Sequence, residues 1–448
     1  TNNFSGRTTL KFLRSILYYG VSYVYNETDN PGTRTWAYSS KTRADGLSRD
    51  SLKVFSPEQV ASHFDKILGN LKETELESMS YDQTYAKNWS LTPRIDFEIP
   101  IKSNSDLVHG KIQLGAKYRL SHNYFDRNVG IAAVGNNSVF IDFIKNNYNY
   151  YWPSGIVELT VAGQENNFLG GSYNFGDKYS FERNDLVFDA WLQHGKETYL
   201  AGPTGGLSDD PRYSGFVYDL YSSAMNDLDD INQYGAGYIM PEINIGKWLM
   251  IMPGVRFEYG RTKMKAYSGN EVTRPYSVFQ DINSAYSLKD SIAIREDKFF
   301  LPMLHLRIKP IDWFYTHFSY THTLRRPDLS MISPFEYYNA QDASSYSYSA
   351  GNPNLKTELW KSYDLQLTFH GRKAGLFSIT GFKKTVKDKL WSRTYKRIQG
   401  EPIPNPVFKD NDLVNMTVYE NHPYSILLEG IETEWQTSFG YLPKPFSY

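Results

Sequence analysis

The sequence predicts an all-β protein: a transmembrane antiparallel β-barrel with long loops gathered at one rim. Three observations predict it. Stretch after stretch alternates apolar and polar residues with a period of two. Many of these stretches run about 10 to 15 residues, twice the usual strand length and enough to cross a bilayer at a tilt. The connections between them alternate between short and long, as they do between the two rims of an outer-membrane barrel.

The candidate strands follow in chain order. Thr8–Tyr25 is read as one strand. In Leu91–Ile101, Ile95, Phe97 and Ile99 oppose Arg94, Asp96 and Glu98. In Lys111–Leu120, Ile112, Leu114, Ala116 and Tyr118 oppose Lys111, Gln113, Lys117 and Arg119. Tyr234–Ile245 and Leu249–Gly260 make a hairpin across Gly246-Lys247, with Val255, Phe257 and Tyr259 opposing Arg256 and Glu258. Leu301–Lys309 places Leu304, Leu306 and Ile308 against His305, Arg307 and Lys309. Trp313–Leu324 sets Phe314 and Phe318 against His317 and Ser319. Tyr363–His370, Leu376–Lys387 and Gly430–Phe439 complete the set of about ten strands.

One face of these strands is apolar and the other carries charge after charge. A dry core holds such charges poorly, whereas a wet barrel interior holds them readily. The sequence offers no long amphipathic helices between strands to cover the apolar faces; a two-sheet sandwich could cover them and is the soluble alternative. No run of about 18 apolar residues exists, which excludes a transmembrane helix while leaving a barrel open. The 36 Tyr, 26 Phe and 9 Trp suit a boundary where rings meet apolar matter and polar tips meet water. A net charge of −1 gives no sign of a nucleic-acid partner. The absence of Cys excludes disulfides and thiolate metal sites.

Two helices are expected in the long connections. Ser56–Leu76 opens on Ser-Pro-Glu, an N-cap, a first-turn Pro and an acidic first turn. Tyr218–Ile231 is the second.

The stretch Trp313–Leu324 runs into Thr321–Leu329 (THTLRRPDL), and Gly351–Leu355 (GNPNL) follows, continuing as KTELWKSYDLQL. Pro327 ends ladder donation and turns the chain out of the sheet. Asn352-Pro353 initiates a turn. This pair of boxes resembles the barrel of TonB-dependent outer-membrane receptors, with matches at Ser319, Tyr320, Thr321, Thr323, Leu324, Arg326 and Pro327, then at Gly351 through Lys356 and Glu358. The elements LFSITGFKKTVKD (376–388) and GIETEW (430–435) are similar to the strands that follow in the family, and INIGKWLMIMPGVRFEY (243–259) resembles an earlier hairpin of its Bacteroidetes-type members.

The resemblance implies a barrel of about 22 strands with a plugged lumen, in the bacterial outer membrane. Residues 1–448 would then be a partial barrel, with the plug domain and the C-terminal strands outside this chain. It implies contact with outer-membrane lipid and, through the N-terminal region, with TonB, and names a surface lipoprotein of the starch-utilisation type as a candidate partner. The implied activity is energised import of a scarce nutrient, a glycan or oligosaccharide or a ferric siderophore. A passive porin or a structural and adhesion barrel is the alternative. Haem carriers of the family place a His between the two boxes; residues 328–350 hold none. No cofactor is expected.

Enzymatic chemistry is not expected. Asp96/Glu98 and Glu432/Glu434 are paired carboxylates on one strand face, but no Gly-x-Ser-x-Gly elbow, Walker loop or His-Glu-x-x-His occurs. Aromatic clusters in the long connections are the candidate ligand or partner surface: Tyr148, Tyr150, Tyr151 and Trp152, and Tyr337 and Tyr338, together with Arg325 and Arg326 at the rim. Packing within the loops is the competing role for the rings, and lumen or rim ion pairing for the arginines.

Overall fold

A computed structural model describes residues 1–11, 14–40, 55–56, 58–59, 74–102, 107–135, 137–147, 181–206, 209–270, 276–281, 286, 288–339, 346–371 and 375–437. Eleven strands form the main path of one antiparallel sheet. They are β1 (Asn2–Thr9), β2 (Ile16–Ser40), β3 (Thr74–Lys102), β4 (Val108–Ala133), β6 (Leu228–Ile245), β7 (Leu249–Asn270), β8 (Lys289–Ile311), β9 (Phe314–Arg325), β12 (Glu358–Gly371), β13 (Gly375–Lys387) and β16 (Ile426–Gln436). Five shorter strands lie off this path: β5 (Val217–Tyr218), β10 (Glu336–Asn339), β11 (Ser347–Ala350), β14 (Leu390–Lys396) and β15 (Asn415–Asn421).

The register carries the period-two pattern across the whole wall. Phe318 of β9 lies opposite Leu306 of β8 and Leu365 of β12; Leu365 in turn faces Gly381 of β13, which faces Ile431 of β16. Along the same face, Leu17, Phe97, Leu114, Ile239, Val255 and Pro302 form one continuous row from β2 to β8. Nothing among the described residues covers this face: Phe300 is 68% exposed, Trp435 64% and Ile431 77%. A sandwich would have buried them.

Aromatic rings border the band. Near the short connections, Phe369 of β12 lies 5.1 Å from Phe314, 6.3 Å from Phe377 and 6.4 Å from Trp313. Six residues along the strand, Tyr363 lies 5.0 Å from Tyr320, and the Lys361 ammonium sits over both rings. At about 3.4 Å per residue the two belts are about 20 Å apart, the proportions of an outer-membrane barrel band.

The short connections join β3 to β4, β6 to β7, β8 to β9 and β12 to β13; the long ones leave the opposite end. Several strands exceed the expected length because they continue far past the Tyr belt: β2 has 25 residues, β3 has 29 and β4 has 26. On β7 and β8 the apolar side turns charged there, with Lys265 paired to Asp290 at 2.9 Å and Arg261 to Glu296 at 3.3 Å.

The buried hydrophobic clusters lie at this long-connection end. Helix α1 (Ser138–Asn147) and helix α2 (Phe181–Ala201) close one of them. It contains Phe140, Ile144, Phe188 and Trp191 packed on Leu76 and Met79 of β3. Arg34 of β2 fixes α2 by a fork to Asp185 (2.9 Å) and Asp189 (2.7 Å), with its guanidinium 4.7 Å from the Phe188 ring centroid. The one-turn helices α3 (Pro211–Ser214) and α4 (Leu329–Ile332) and a 3-10 turn at Ala224–Asn226 complete the regular elements among the described residues.

Three expectations need correction. Thr8–Tyr25 is two strands, because Leu10 N–H bonds Ser15 O at 2.8 Å and reverses the chain, with Arg14 at φ 49°. Tyr218–Ile231 is not an α-helix. Asp219 accepts from Ser222 N–H and Oγ, and Asn226 donates to the carbonyls of Tyr221 and Ser222, so side chains take the backbone groups a helix would pair. Residues 228–231 join β6 instead. In Ser56–Leu76, the last three residues belong to β3. Ser56 and Gln59 exchange the bonds of a capping box, at 2.8 and 3.3 Å, and 60–73 lie outside the described residues.

Candidate functional site

The polar face of the wall is cross-linked near the Tyr belt. Tyr238 donates to Asp96 at 2.9 Å, and Lys111 and Gln113 both donate to Glu98 at 3.1 Å. The first carboxylate pair is thus engaged with its neighbours. Glu258, nearly buried, receives Arg256 Nε at 2.6 Å and Arg326 Nη2 at 2.7 Å. Arg256 also donates to Tyr234 Oη at 2.8 Å, and the Arg326 guanidinium lies 5.1 Å from the Tyr234 ring centroid. His305 and His317 stack at 5.5 Å with 8° between their planes.

Arg325 is the more open of the two rim arginines, with Nη1 3.7 Å from Glu358 Oε1. Glu358 is fully buried and anchors the second sequence box. Its Oε1 accepts from Leu390 N–H at 2.9 Å and pairs with Lys389 at 3.1 Å, while Oε2 accepts from Trp360 Nε1 at 3.0 Å. Asn352 donates to Tyr419 O at 3.0 Å, and Asn421 bonds the main chain of Lys356 in both directions. Arg295, almost buried, donates to Leu355 O and, at 2.9 Å, to Thr357 Oγ1. The GNPNLKTE box is therefore a clamp between two long connections.

Tyr337 and Tyr338, adjacent on β10, point to opposite sides. Tyr337 packs against the Leu220/Met225 cluster with its ring 4.9 Å from Tyr221; Tyr338 packs against Phe408, Val414 and Met416. Tyr148, Tyr150, Tyr151 and Trp152 lie outside the described residues.

Two pockets that sequence reasoning missed open on the polar face toward the long-connection end, one on either side of α4. The first, about 300 Å³, is lined by Asn26, Asn88, Ser90, Ser121, Asn123 and Asn232, together with Val24, Trp89, Arg119 and Leu329. The second, about 270 Å³, is lined by Phe125, Tyr221, Met225, Phe335 and Tyr419, with Ser330 and Ser333 of the α4 segment. Asn123 and Phe125 are successive polar-face positions of β4, about 7 Å apart, so the pockets adjoin. Each of the four Asn comes from a different strand, so no local pattern signals the pocket.

Between Leu228 of one pocket and Asn232 of the other sits Asp230, fully buried, accepting from Asn123 Nδ2 at 3.0 Å through Oδ2. Burial pushes its carboxyl up to about 6, against the pull of Asn123 and His122. Nearby Asp227 accepts from Arg127 N–H at 2.9 Å, and burial pushes it up to about 7. Among the described residues, no group of three or more His, Cys, Asp or Glu side chains is placed to hold a metal ion. Elsewhere, a cavity of about 830 Å³ at the short-connection end is lined by His109, Lys247, Arg307, Lys309 and His370.

Comparison with known proteins bears on this architecture. No curated protein matches the sequence. Among solved structures, the chain is similar to the siderophore receptor PirA from Acinetobacter baumannii at 13% identity and TM-score 0.34, covering 98% of this chain and 50% of that one. It is similar to FpvA of P. aeruginosa, solved with bound pyoverdine and iron, at 10% identity and TM-score 0.42, covering 99% of this chain and 41% of that one. The Serratia marcescens hemophore receptor HasR, solved with its hemophore and haem, matches at 8% identity and TM-score 0.33 over 94% of this chain and 50% of that one. This chain thus spans half or less of the length of these three proteins. The family described as TonB dependent receptor-like, beta-barrel matches residues 4–442. Nearly the whole chain is matched, and it belongs to the β-barrel of the TonB-dependent receptor family of the bacterial outer membrane.

Proposed function

We propose that this wall is part of an active outer-membrane transporter that imports a scarce nutrient, energised through TonB. The apolar face with its aromatic belts meets outer-membrane lipid, the polar face lines the lumen, and the long connections stand outside the cell. The observation that carries the reading is the pair of pockets on the polar face, beyond the Tyr belt and enclosed by the long connections. A ligand entering from the loop side would meet them before the membrane-spanning part of the lumen.

The nutrient is a glycan or oligosaccharide, or a ferric siderophore. Cells carrying or lacking the full-length receptor, grown on defined neutral glycans and separately under iron limitation, test this. A growth defect of the deletion strain in one regime, restored by the intact gene, is expected. Equal growth of both strains in both regimes would refute import of either class.

A further inference from the structure

The two pockets flanking α4 differ in chemistry, and the difference selects a ligand. The first presents carboxamides and hydroxyls beside the apolar Val24 and Trp89. In Asn123, Nδ2 is spent on Asp230, which leaves its carbonyl oxygen as the atom available to a ligand. In Asn232 the reverse holds: Oδ1 accepts from Thr262 Oγ1 at 2.8 Å, which leaves the amide N–H groups. The Asn88 side chain makes no hydrogen bond among the described residues, so it offers both.

A pocket that presents acceptors beside donors matches groups that donate and accept at once. Hydroxyls do so. An anion only accepts, and would find the Asn123 carbonyl oxygen and the nearby Asp230 carboxyl unfavourable. The one cationic group in the lining, Arg119, is turned over the Tyr234 ring at 5.5 Å. The second pocket supplies ring faces: Phe125, Phe335 and Tyr419, and Tyr221, which is 44% exposed and accessible to a ligand. Ring faces pack against the C–H faces of a pyranose, while the sugar's hydroxyls project to the side. Ser333 Oγ, buried at the edge of this pocket, has no hydrogen-bond partner among the described residues.

We propose that the two pockets form one continuous site for a neutral carbohydrate chain, with one sugar stacked in the aromatic pocket and the next hydrogen-bonded by Asn88, Asn123 and Asn232. The proposal rests on the import reading above and narrows it to carbohydrate. Asp230 acts here as a positioning residue, since it touches Asn123 and not the ligand.

The test is calorimetric titration of the purified full-length receptor in detergent. The probes are linear neutral tetra- to hexasaccharides of glucose, mannose and xylose, with ferric catecholate and hydroxamate complexes as comparators. At least one oligosaccharide series is expected to bind. Asn88→Ala combined with Asn26→Ala should weaken it about tenfold, the loss of one or two uncharged hydrogen bonds. Tyr221→Ala should weaken it by a similar factor, and the heat-modifiable migration of the folded barrel should be unchanged in both variants. Binding of oligosaccharide that neither variant alters would overturn the proposal. So would binding of the ferric complexes alone. Because the titration needs no energy source, its failure is separable from failure of the import reading, which is judged by uptake.

Discussion

Arg326 Nη2 meets Glu258 Oε2 at 2.7 Å, joining the residue before Pro327 to the middle of β7, two strands away. Arg256 holds the other oxygen of the same carboxylate at 2.6 Å. The chain leaving β9 is therefore tied back to the polar face at the point where it enters the long connection. Removing a nearly buried carboxylate leaves two guanidiniums facing each other without a counter-charge. Glu258→Ala should destabilise the folded receptor by about 1.5–3 kcal/mol, the worth of a charged hydrogen bond, because both arginines remain partly exposed to water, read as a lower unfolding temperature of the purified full-length protein. Arg326→Ala should cost less, because Arg256 keeps its partner.

Glu358 predicts a local effect. Its carboxylate accepts from Leu390 N–H in the segment that starts β14. Glu358→Ala should lower protection of the Leu390 amide by about 2 kcal/mol, the worth of a hydrogen bond to a charged group. Hydrogen exchange should show the change confined to the two connections that the GNPNLKTE box clamps. Protection unchanged there would mean that the clamp is not what orders them.

Asp227 and Asp230 make the long-connection end sensitive to pH. Both carboxyls are raised in the folded protein, to about 7 and about 6, from an ordinary 3.8. Between those values and 3.8 the folded state keeps protons that the unfolded state has lost. Stability therefore rises as pH falls from about 7 toward 4 and is lost as pH rises through the folded values. The slope is at most about 1.4 kcal/mol per pH unit for each group. Hydrogen exchange of β4 and β6 should be slower at pH 5 than at pH 7.5, after correction for intrinsic rates, and Asp227→Asn with Asp230→Asn should remove the difference.

The aromatic belt predicts a lipid signature. Trp313 and Trp435 lie exposed beside the apolar band, whereas Trp191 is buried among α1, α2 and β3. In vesicles carrying the full-length receptor, brominated lipids should quench the emission of a variant retaining only Trp313, and likewise Trp435. A variant retaining only Trp191 should be unaffected. Equal quenching of all three would contradict the placement of the belt.

The wall was legible because the period-two alternation is a local property of each strand. Ile95, Phe97 and Ile99 predict their face without knowledge of any partner. The continuation of β2, β3 and β4 past the Tyr belt was not legible, because both faces become polar there and alternation loses contrast. Helix α1 left a signal that was passed over: Asn137 Oδ1 caps it by accepting from Phe140 N–H at 3.1 Å. Helix α2 shows Val187, Phe188 and Trp191 at helical spacing. The role of Tyr337 and Tyr338 depends on β10 pairing with β7 and on packing against Leu220 and Phe408, contacts far apart in sequence that no local pattern encodes. The amide pocket likewise draws Asn26, Asn88, Asn123 and Asn232 from four different strands, so only the register brings them together.

The central claim is energised import, and one measurement addresses it most directly. Uptake of a labelled neutral oligosaccharide that the purified receptor binds would be followed in cells carrying the full-length protein, before and after the proton gradient is collapsed by a protonophore. The account predicts uptake that depends on the receptor and stops when the gradient is lost, while surface binding persists. Receptor-dependent uptake that continues at the same rate without the gradient would contradict it and identify a passive channel.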